Sequence, residues 1–539
     1  MKKLLAVMLA VVLAMGLVGC GGGSEGGSGS EKELKVQVGP NPETVDPALN
    51  SAVDGGNMIL HAFECLLTVG QDGTLQPGCA ETWETSEDGL TWTFHLRDGL
   101  KWSDGTDLTA EDFVYSWQRV CDPQVAAPYA ETVLQMVKGY DQAIKGDLEA
   151  LDVVAEDPQT LVVHLSNPCT YFGGLAAFAT LSPVQKATIE ANGDAWATTP
   201  ETYVSNGPFY MTEWEQGSHI TFSKNPYYWN KDAVKLDKLT FMLIEDANAA
   251  YSAYQTGEID MIKDVPTEEI PSLEGNEEFH VEPIIGTYYL NLNCKKKMFK
   301  DERVRKALSL AIDRKYVAET IMQGTYSPAG SFIGPGWLDT DDSEFEKNAN
   351  GGKPYIDIDN YEANLEEAKK LMAEAGYPDG KGFPEITYST NDSGYHKPVA
   401  EYLQEAWGKL GVKVKVATVE WGSFTPMRRD GEYEAARNGW VGDYSDPSNM
   451  LDLLCTDNGN NDGKFSNKQY DAAMALSRKT RDPTERSLAL HKAEDILMEH
   501  AGCVPLAYYN DFYTQSPKIT GSWHSTTGYW YFMYADIAE

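Results

Sequence analysis

Residues 385–441 read EITYSTNDSGYHKPVAEYLQEAWGKLGVKVKVATVEWGSFTPMRRDGEYEAARNGWV, and their patterning decides the fold class. Glu385 to Thr390 alternates with the period of a half-buried strand, and Lys397 to Leu410 carries apolar residues at helical spacing. The run VKVKVATV (412–419) is a second strand, Ser423 to Arg429 a second helix, and the stretch into Gly439-Trp440 a third strand. This β-α-β-α-β succession predicts parallel strands with helices packed on the sheet, hence an α/β protein. In open sheets of this kind ligands bind beyond the carboxyl ends of the strands. Asp443 lies just past such an end, and Arg437 stands six positions before it. If 433–441 is extended, that even spacing puts both side chains on one face, about 20 Å apart at ~3.3 Å per residue. The span is too long for the two to pair. It suits a guest with one positive and one negative end.

Outward from this segment, Leu34 to Val38 and Thr91 to Leu96 alternate as strands. Leu108 to Val120 follows as a helix, with Thr109 and Asp112 placed as a capping box. Pro208 to Phe222 reads as a hairpin turning near Gln216-Gly217-Ser218. Asp301 is placed to cap the helix ERVRKALSLAI, and Asn360 the helix YEANLEEAKKLMAEAG, which Gly376 ends. No internal repeat is visible.

The first twenty residues join Lys2 and Lys3 to an apolar run, Leu4 to Val18, that is short of the ~20 apolar residues a bilayer span needs. A secretory signal is therefore expected over 1–19. The GGGSEGGSGSEK that follows Cys20 is a flexible tether of the kind that holds a globular body off a membrane. Formal net charge is −37, and loss of the two leader lysines makes it −39. Nucleic acid and anionic lipid surfaces are thereby poor partners. Seven cysteines follow Cys20, widely scattered and without a CxxC, so neither a zinc cluster nor a dense disulfide framework is expected. Buried free thiols are the main reading; a Cys65–Cys79 bridge is one pairing the sequence leaves open.

Signatures of catalysis are missing: there is no HExxH, GxSxG, GxxxxGK[ST] or GxGxxG between strand and helix. Acidic clusters such as Asp339-Asp341-Asp342 lack the glycine and closing glutamate of a calcium loop. No catalytic residue, metal or cofactor is expected. Aromatic surface is abundant instead, with 29 tyrosines, 17 phenylalanines and 13 tryptophans. Tyr and Trp suit a pocket that is apolar in body and polar at its tips. Tyr129, Tyr288, Tyr289, Trp421 and Trp440 are the candidates, each with plain core packing as its alternative, and His396 stands beside them at a helix start.

Several stretches taken in order resemble the oligopeptide-binding branch of the bacterial extracellular solute-binding proteins, family 5, that serve ABC importers. They are TVDPALNSAVDGG (44–56), residues 80–120, NGPFYMTEW (206–214), TGEIDM (256–261), DERVRKALSLAIDR (301–314), EEAKKLMAEAGYPDG (366–380) and GWVGDYSDPSNML (439–451). In the same way Leu17-Val18-Gly19-Cys20 resembles the lipobox of bacterial lipoproteins, whose cysteine becomes the lipid-modified amino terminus. The resemblance implies an α/β fold with the two lobes of a type II periplasmic binding protein, cluster C-like, with a hinge and an extra domain inserted in the first lobe. Lobe I would comprise 34–63, 189–285 and 510–539, the extra domain 64–188, and lobe II 286–509. The mature protein would be monomeric, held to the outer face of the bacterial cell membrane by lipid on Cys20.

Carried over residue by residue, Asp443 would receive a peptide's α-ammonium and Arg437 the carboxylate of short peptides. Gly439, Trp440 and Val441 would meet the guest along its backbone, with Gly439 and Gly442 permitting close approach and Ala52-Val53-Asp54 pairing with its other side. Tyr129, Trp421, Arg428 and His396 match positions that line side-chain pockets or meet the carboxylates of longer guests. Two places depart from relatives: Gly286 and Val441 stand where a disulfide joins two strands, and Arg429 stands where a histidine is expected. The partners implied are short peptides of about three to five residues and the membrane permease of an ABC importer. A nickel chelate, haem or a sugar on the same fold is the alternative cargo, and an exported hydrolase the alternative class.

Overall fold

The computed structural model describes residues 31–538, apart from 72, 73, 170, 342, 392 and 393. The leader, its apolar run and Cys20 lie outside the described residues. No helix among the described residues is long and apolar enough to cross a membrane.

The segment that opened the sequence forms strand Ile386–Asn391, helix His396–Gly408, strand Val414–Val419, helix Trp421–Asp430 and strand Ala435–Val441. Ile386–Asn391 pairs in parallel with both other strands. The second helix starts two residues earlier than expected, because the Glu420 carboxylate caps it by accepting from the N–H groups of Gly422 and Ser423 at 2.9 and 3.2 Å.

Elsewhere the local signals hold with small shifts. Asp112 accepts from the Thr109 N–H at 2.8 Å ahead of helix Ala110–Cys121, and Asp301 accepts from the Arg303 N–H at 3.0 Å. Asn360 occupies the cap position of helix Tyr361–Glu374, but its amide donates to Asp357 and makes no cap. The hairpin pairs Phe209–Glu215 with His219–Lys224 across Gly217 at φ +70°. The seven cysteines from Cys65 to Cys503 are all free: Cys65 donates to the Phe178 carbonyl and Cys79 to that of Glu64, so that pair forms no bridge.

Eleven strands form one mixed sheet. From one edge the order is Val414–Val419, Ile386–Asn391, Ala435–Val441, Phe279–Leu292, Val504–Gln515, Met261–Ile262, Glu33–Gln37, Lys238–Met242, His219–Lys224 and Phe209–Glu215, with Ser327–Pro328 joining Val504–Gln515. A separate antiparallel sheet orders Ala80–Thr85, Thr91–Leu96, Thr160–His164 and Val153–Asp157.

Two large hydrophobic cores flank this scaffold. One gathers Leu34, Phe94, Trp102, Trp117, Phe209 and Phe241; the other gathers Leu290, Val304, Trp337, Leu403, Trp407 and Leu497. Strand Val504–Gln515 serves both, sending Val504, Leu506 and Ala507 into the second and Tyr513 into the first. Its antiparallel ladder with Phe279–Leu292 jumps register between Pro283 and Thr287. Pro283 has no N–H to donate there, so the two longest strands are least firmly paired midway.

Candidate functional site

Arg437 sits within strand Ala435–Val441, opposite Leu290 of the neighbouring strand. Its side chain is buried, 9% exposed. Nε donates to Asn391 Oδ1 at 2.8 Å, at the carboxyl end of the adjacent parallel strand. The guanidinium carbon lies 5.3 Å from the Trp421 ring and 5.9 Å from those of Tyr288 and Phe424. These rings hold a cation without neutralising it. No carboxylate among the described residues pairs with Arg437, and burying a charge without a counter-ion is costly.

Two further basic groups stand beside it. Arg428, on helix Trp421–Asp430, donates to the Arg437 carbonyl at 3.3 Å and to the Asn438 side chain, and approaches Asp462 at 3.8 Å. Burial lowers its pKa. His396, the first residue of its helix, lies 3.3 Å from the Tyr288 hydroxyl. Burial, and then the charges of Arg437 and Arg428, push the imidazole well below its ordinary range. It is neutral at pH 7, and Arg437 carries the uncompensated charge.

The opposite pole lies past the end of the same strand. Asp443 Oδ1 accepts from the Tyr129 hydroxyl at 3.1 Å, and Oδ2 from the Asn449 amide at 2.8 Å. Burial raises its pKa to about 7. No cationic side chain among the described residues pairs with it. Tyr129 belongs to the first core and packs against Phe178 and Trp440, so its bond to Asp443 joins the two halves. Close by, Tyr171 and Tyr444 stack with centroids 4.7 Å apart and planes at 4°, and the Arg486 guanidinium lies 5.5 Å from the Tyr171 ring.

Between the poles the glycines face side chains of the chain itself. A Cβ on Gly439 would come within 1.9 Å of the Tyr509 hydroxyl, and one on Gly442 within 2.4 Å of the Trp337 ring. Their bareness is thus required by internal packing, a reason the sequence reading missed. Trp440 donates its indole N–H to Asn449 at 3.1 Å. Val441 pairs with Gly286, where a Cβ would meet the Trp440 carbonyl at 2.6 Å.

Ala52-Val53-Asp54, expected along the guest's other side, lies at a helix start. Ala52 is extended, but Val53 opens helix Val53–Ala62, and its carbonyl already accepts from Asn57 at 3.0 Å. Tyr288 and Tyr289 point to opposite faces, as neighbours on a strand must: Tyr288 meets His396, while Tyr289 packs edge-on to Phe332 in the core.

Sequence reasoning missed Asn391, Phe424, Asn449 and Tyr509. Asn391 could have been found, since it ends a parallel strand where such sheets bind ligands. Cavities of about 350 and 280 Å³ lie elsewhere, near Tyr355 and Cys503 and near Glu64 and Trp229. Neither Asp443 nor Arg437 lines them.

The model of the family described as bacterial extracellular solute-binding proteins, family 5 Middle, matches residues 74–462. The chain belongs to this family. It is 34% identical to the oligopeptide-binding protein OppA of Bacillus subtilis (strain 168), covering 99% of each chain. The structure of Haemophilus influenzae OppA in complex with RPPGFSPFR is 32% identical, with a TM-score of 0.85 over 95% of this chain and 100% of that one. The Escherichia coli murein tripeptide binding protein MppA gives 31% identity and a TM-score of 0.87 over 95% and 99%. An unliganded open form of MppA gives only 0.66, at 31% identity over 94% and 98%. Identity and coverage barely change, so the drop reflects conformation: the arrangement in this structure differs from that open one. Its fold is the two-lobed α/β fold of the type II periplasmic binding proteins. The relatives are solute-binding proteins of the periplasm or cell exterior rather than enzymes.

Proposed function

We propose that this protein is the lipid-anchored receptor of an ABC importer, capturing short oligopeptides between its two lobes and passing them to the permease. The observation that carries this reading is two opposite charges near one strand end, without an ionic partner among the described residues: Arg437, buried and caged by rings, and Asp443, half-buried and held by neutral donors. A peptide with free ends brings the counter-ion each of them lacks. Asp443 takes the α-ammonium and Arg437 the carboxylate, while Arg428 and His396 stand where the carboxylate of a longer guest would end. The guest's backbone runs past Gly439, Trp440 and Val441, with Tyr129, Tyr288 and Trp421 along its side chains and Val53 facing it at a helix start. Reading termini and backbone gives affinity with little regard to sequence.

In this reading residues 34–63, 189–285 and 510–539 form lobe I, 64–188 a domain inserted in it, and 286–509 lobe II. The separate sheet within 64–188 supports the insertion. Cys20 carries the lipid that keeps the receptor at the outer face of the cell membrane. No chemistry is done on the guest.

Mass spectrometry of small molecules released on denaturing the purified protein tests the reading. Peptides a few residues long with varied side chains are expected. A single metal chelate, haem or sugar would overturn it.

A further inference from the structure

We infer that Asn449 is a positioning residue for the ammonium anchor, and that it sets how strongly the protein prefers a free peptide amino terminus to a blocked one. The inference rests on the reading of Asp443 given above.

Asp443 lies two residues past the end of strand Ala435–Val441 and precedes helix Ser448–Asp452. A carboxylate on such a connection is free to turn unless something fixes it. Asn449 does so twice: Oδ1 accepts from the Asp443 main-chain N–H at 3.1 Å, while Nδ2 donates to Asp443 Oδ2 at 2.8 Å. One amide thus grips main chain and side chain of one residue, closing a ring that sets the carboxylate's torsions. The amide cannot be reversed without loss. Its oxygen also accepts from the Trp440 indole N–H at 3.1 Å, and an indole N–H and a main-chain N–H can only donate.

Asn449 is itself anchored. It is 2% exposed. Next to it, Ser448 donates both its N–H and its hydroxyl to Asp446 Oδ1 at 3.0 and 2.6 Å, and Arg486 clamps that carboxylate with two bonds of 2.9 and 2.8 Å. A bidentate guanidinium pair adds geometric definition as well as energy. The chain Arg486, Asp446, helix start, Asn449 therefore ends on the anchor. With Oδ2 held by Asn449, Oδ1 is the oxygen turned to Tyr129 on the other half. The amide donor also favours the ionised carboxylate, against the burial that raises its pKa.

The test measures the affinity ratio of trialanine to N-acetyl-trialanine by calorimetric titration for the parent protein, Asn449→Ala and Asp443→Ala. A group that only supports the fold weakens both peptides alike; a positioning residue changes the ratio. Asn449→Ala is expected to lower the ratio by about ten- to a hundredfold, as for a hydrogen bond to a charged group, with N-acetyl-trialanine bound as before. Asp443→Ala is expected to bring the ratio close to one. An unchanged ratio in Asn449→Ala, with the ratio lost in Asp443→Ala, overturns the role of Asn449 and leaves the anchor standing. An unchanged ratio in both overturns the anchor and this inference with it. If Asn449→Ala does not fold, Asn449→Ser, which leaves room for water at the two N–H groups, is held to the same ratio.

Discussion

Replacing Arg437 by methionine separates a residue kept for a guest from one kept for the fold. Methionine fills similar space between Trp421, Tyr288 and Phe424 but brings no charge. If Arg437 meets a peptide carboxylate in the closed cleft, losing one partner of that desolvated pair costs ~2–5 kcal/mol of binding, or roughly 30- to 4,000-fold in affinity. The loss is confined to guests with a free carboxylate. Trialanine should weaken by that factor, while its C-terminal amide should bind parent and variant within about threefold, less than 1 kcal/mol.

Stability moves differently. The variant frees Asn391 Oδ1 from its 2.8 Å bond, costing about 1–3 kcal/mol, and relieves the burial of an uncompensated guanidinium, which acts in the opposite sense. Unfolding free energy without peptide should therefore change by less than about 2 kcal/mol, whereas breaking a buried structural ion pair costs about 3–5. Calorimetric titration and urea unfolding give the two numbers. Equal weakening of acid and amide, or a stability loss of the structural size with peptide affinity retained, would refute the assignment.

The anchor should be sensitive to pH. Asp443, raised to about 7 by burial, must be ionised to hold an ammonium, so trialanine affinity should climb by up to tenfold per unit as pH rises from 5.5 towards 7 and then level off; N-acetyl-trialanine should stay flat, and a matching slope for both would assign the titration elsewhere. Tyr171→Ala removes the ring stacked on Tyr444 and facing Arg486; at ~0.5–1.5 kcal/mol for such a pair, the peptide-free protein should shift up to roughly tenfold towards an open form, visible as a larger radius of gyration in small-angle scattering. Gly439→Ala places a methyl where the Tyr509 hydroxyl lies, and overpacking of this kind should cost ~1–3 kcal/mol in urea unfolding; an unchanged midpoint would show that Tyr509 is free to move aside.

Much of the scaffold is local and was therefore readable. Thr91–Leu96 appears with its expected bounds, and the parallel run after residue 385 follows from alternating strand and helix patterns. Where boundaries moved, neighbouring polar groups decided: Glu420 capped a helix that began two residues early, and Asn360 turned to Asp357. The poles of the site were legible because charges six apart at a strand end are unusual in a buried segment. Their surroundings were not. Tyr129 reaches Asp443 across 314 positions, and Arg437 leans on Asn391 across 46. Gly439 owes its identity to Tyr509, far along the chain. Such contacts depend on tertiary approach, to which local pattern is blind. At Val53 a helix begins that the residue pattern did not announce.

The sheet that runs unbroken through both halves makes them inseparable as inherited parts. Phe279–Leu292 and Val504–Gln515 each contribute rungs on both sides of the register jump at Pro283, so no cut through the chain frees one half with all its strands intact. A gene fusion that exchanged one half for a relative's would have to match two strand registers at once, and a fragment would expose raw ladder edges, a template for aggregation. Variation in cargo should therefore accumulate by substitution along the cleft, with recombination confined to segments outside these two strands.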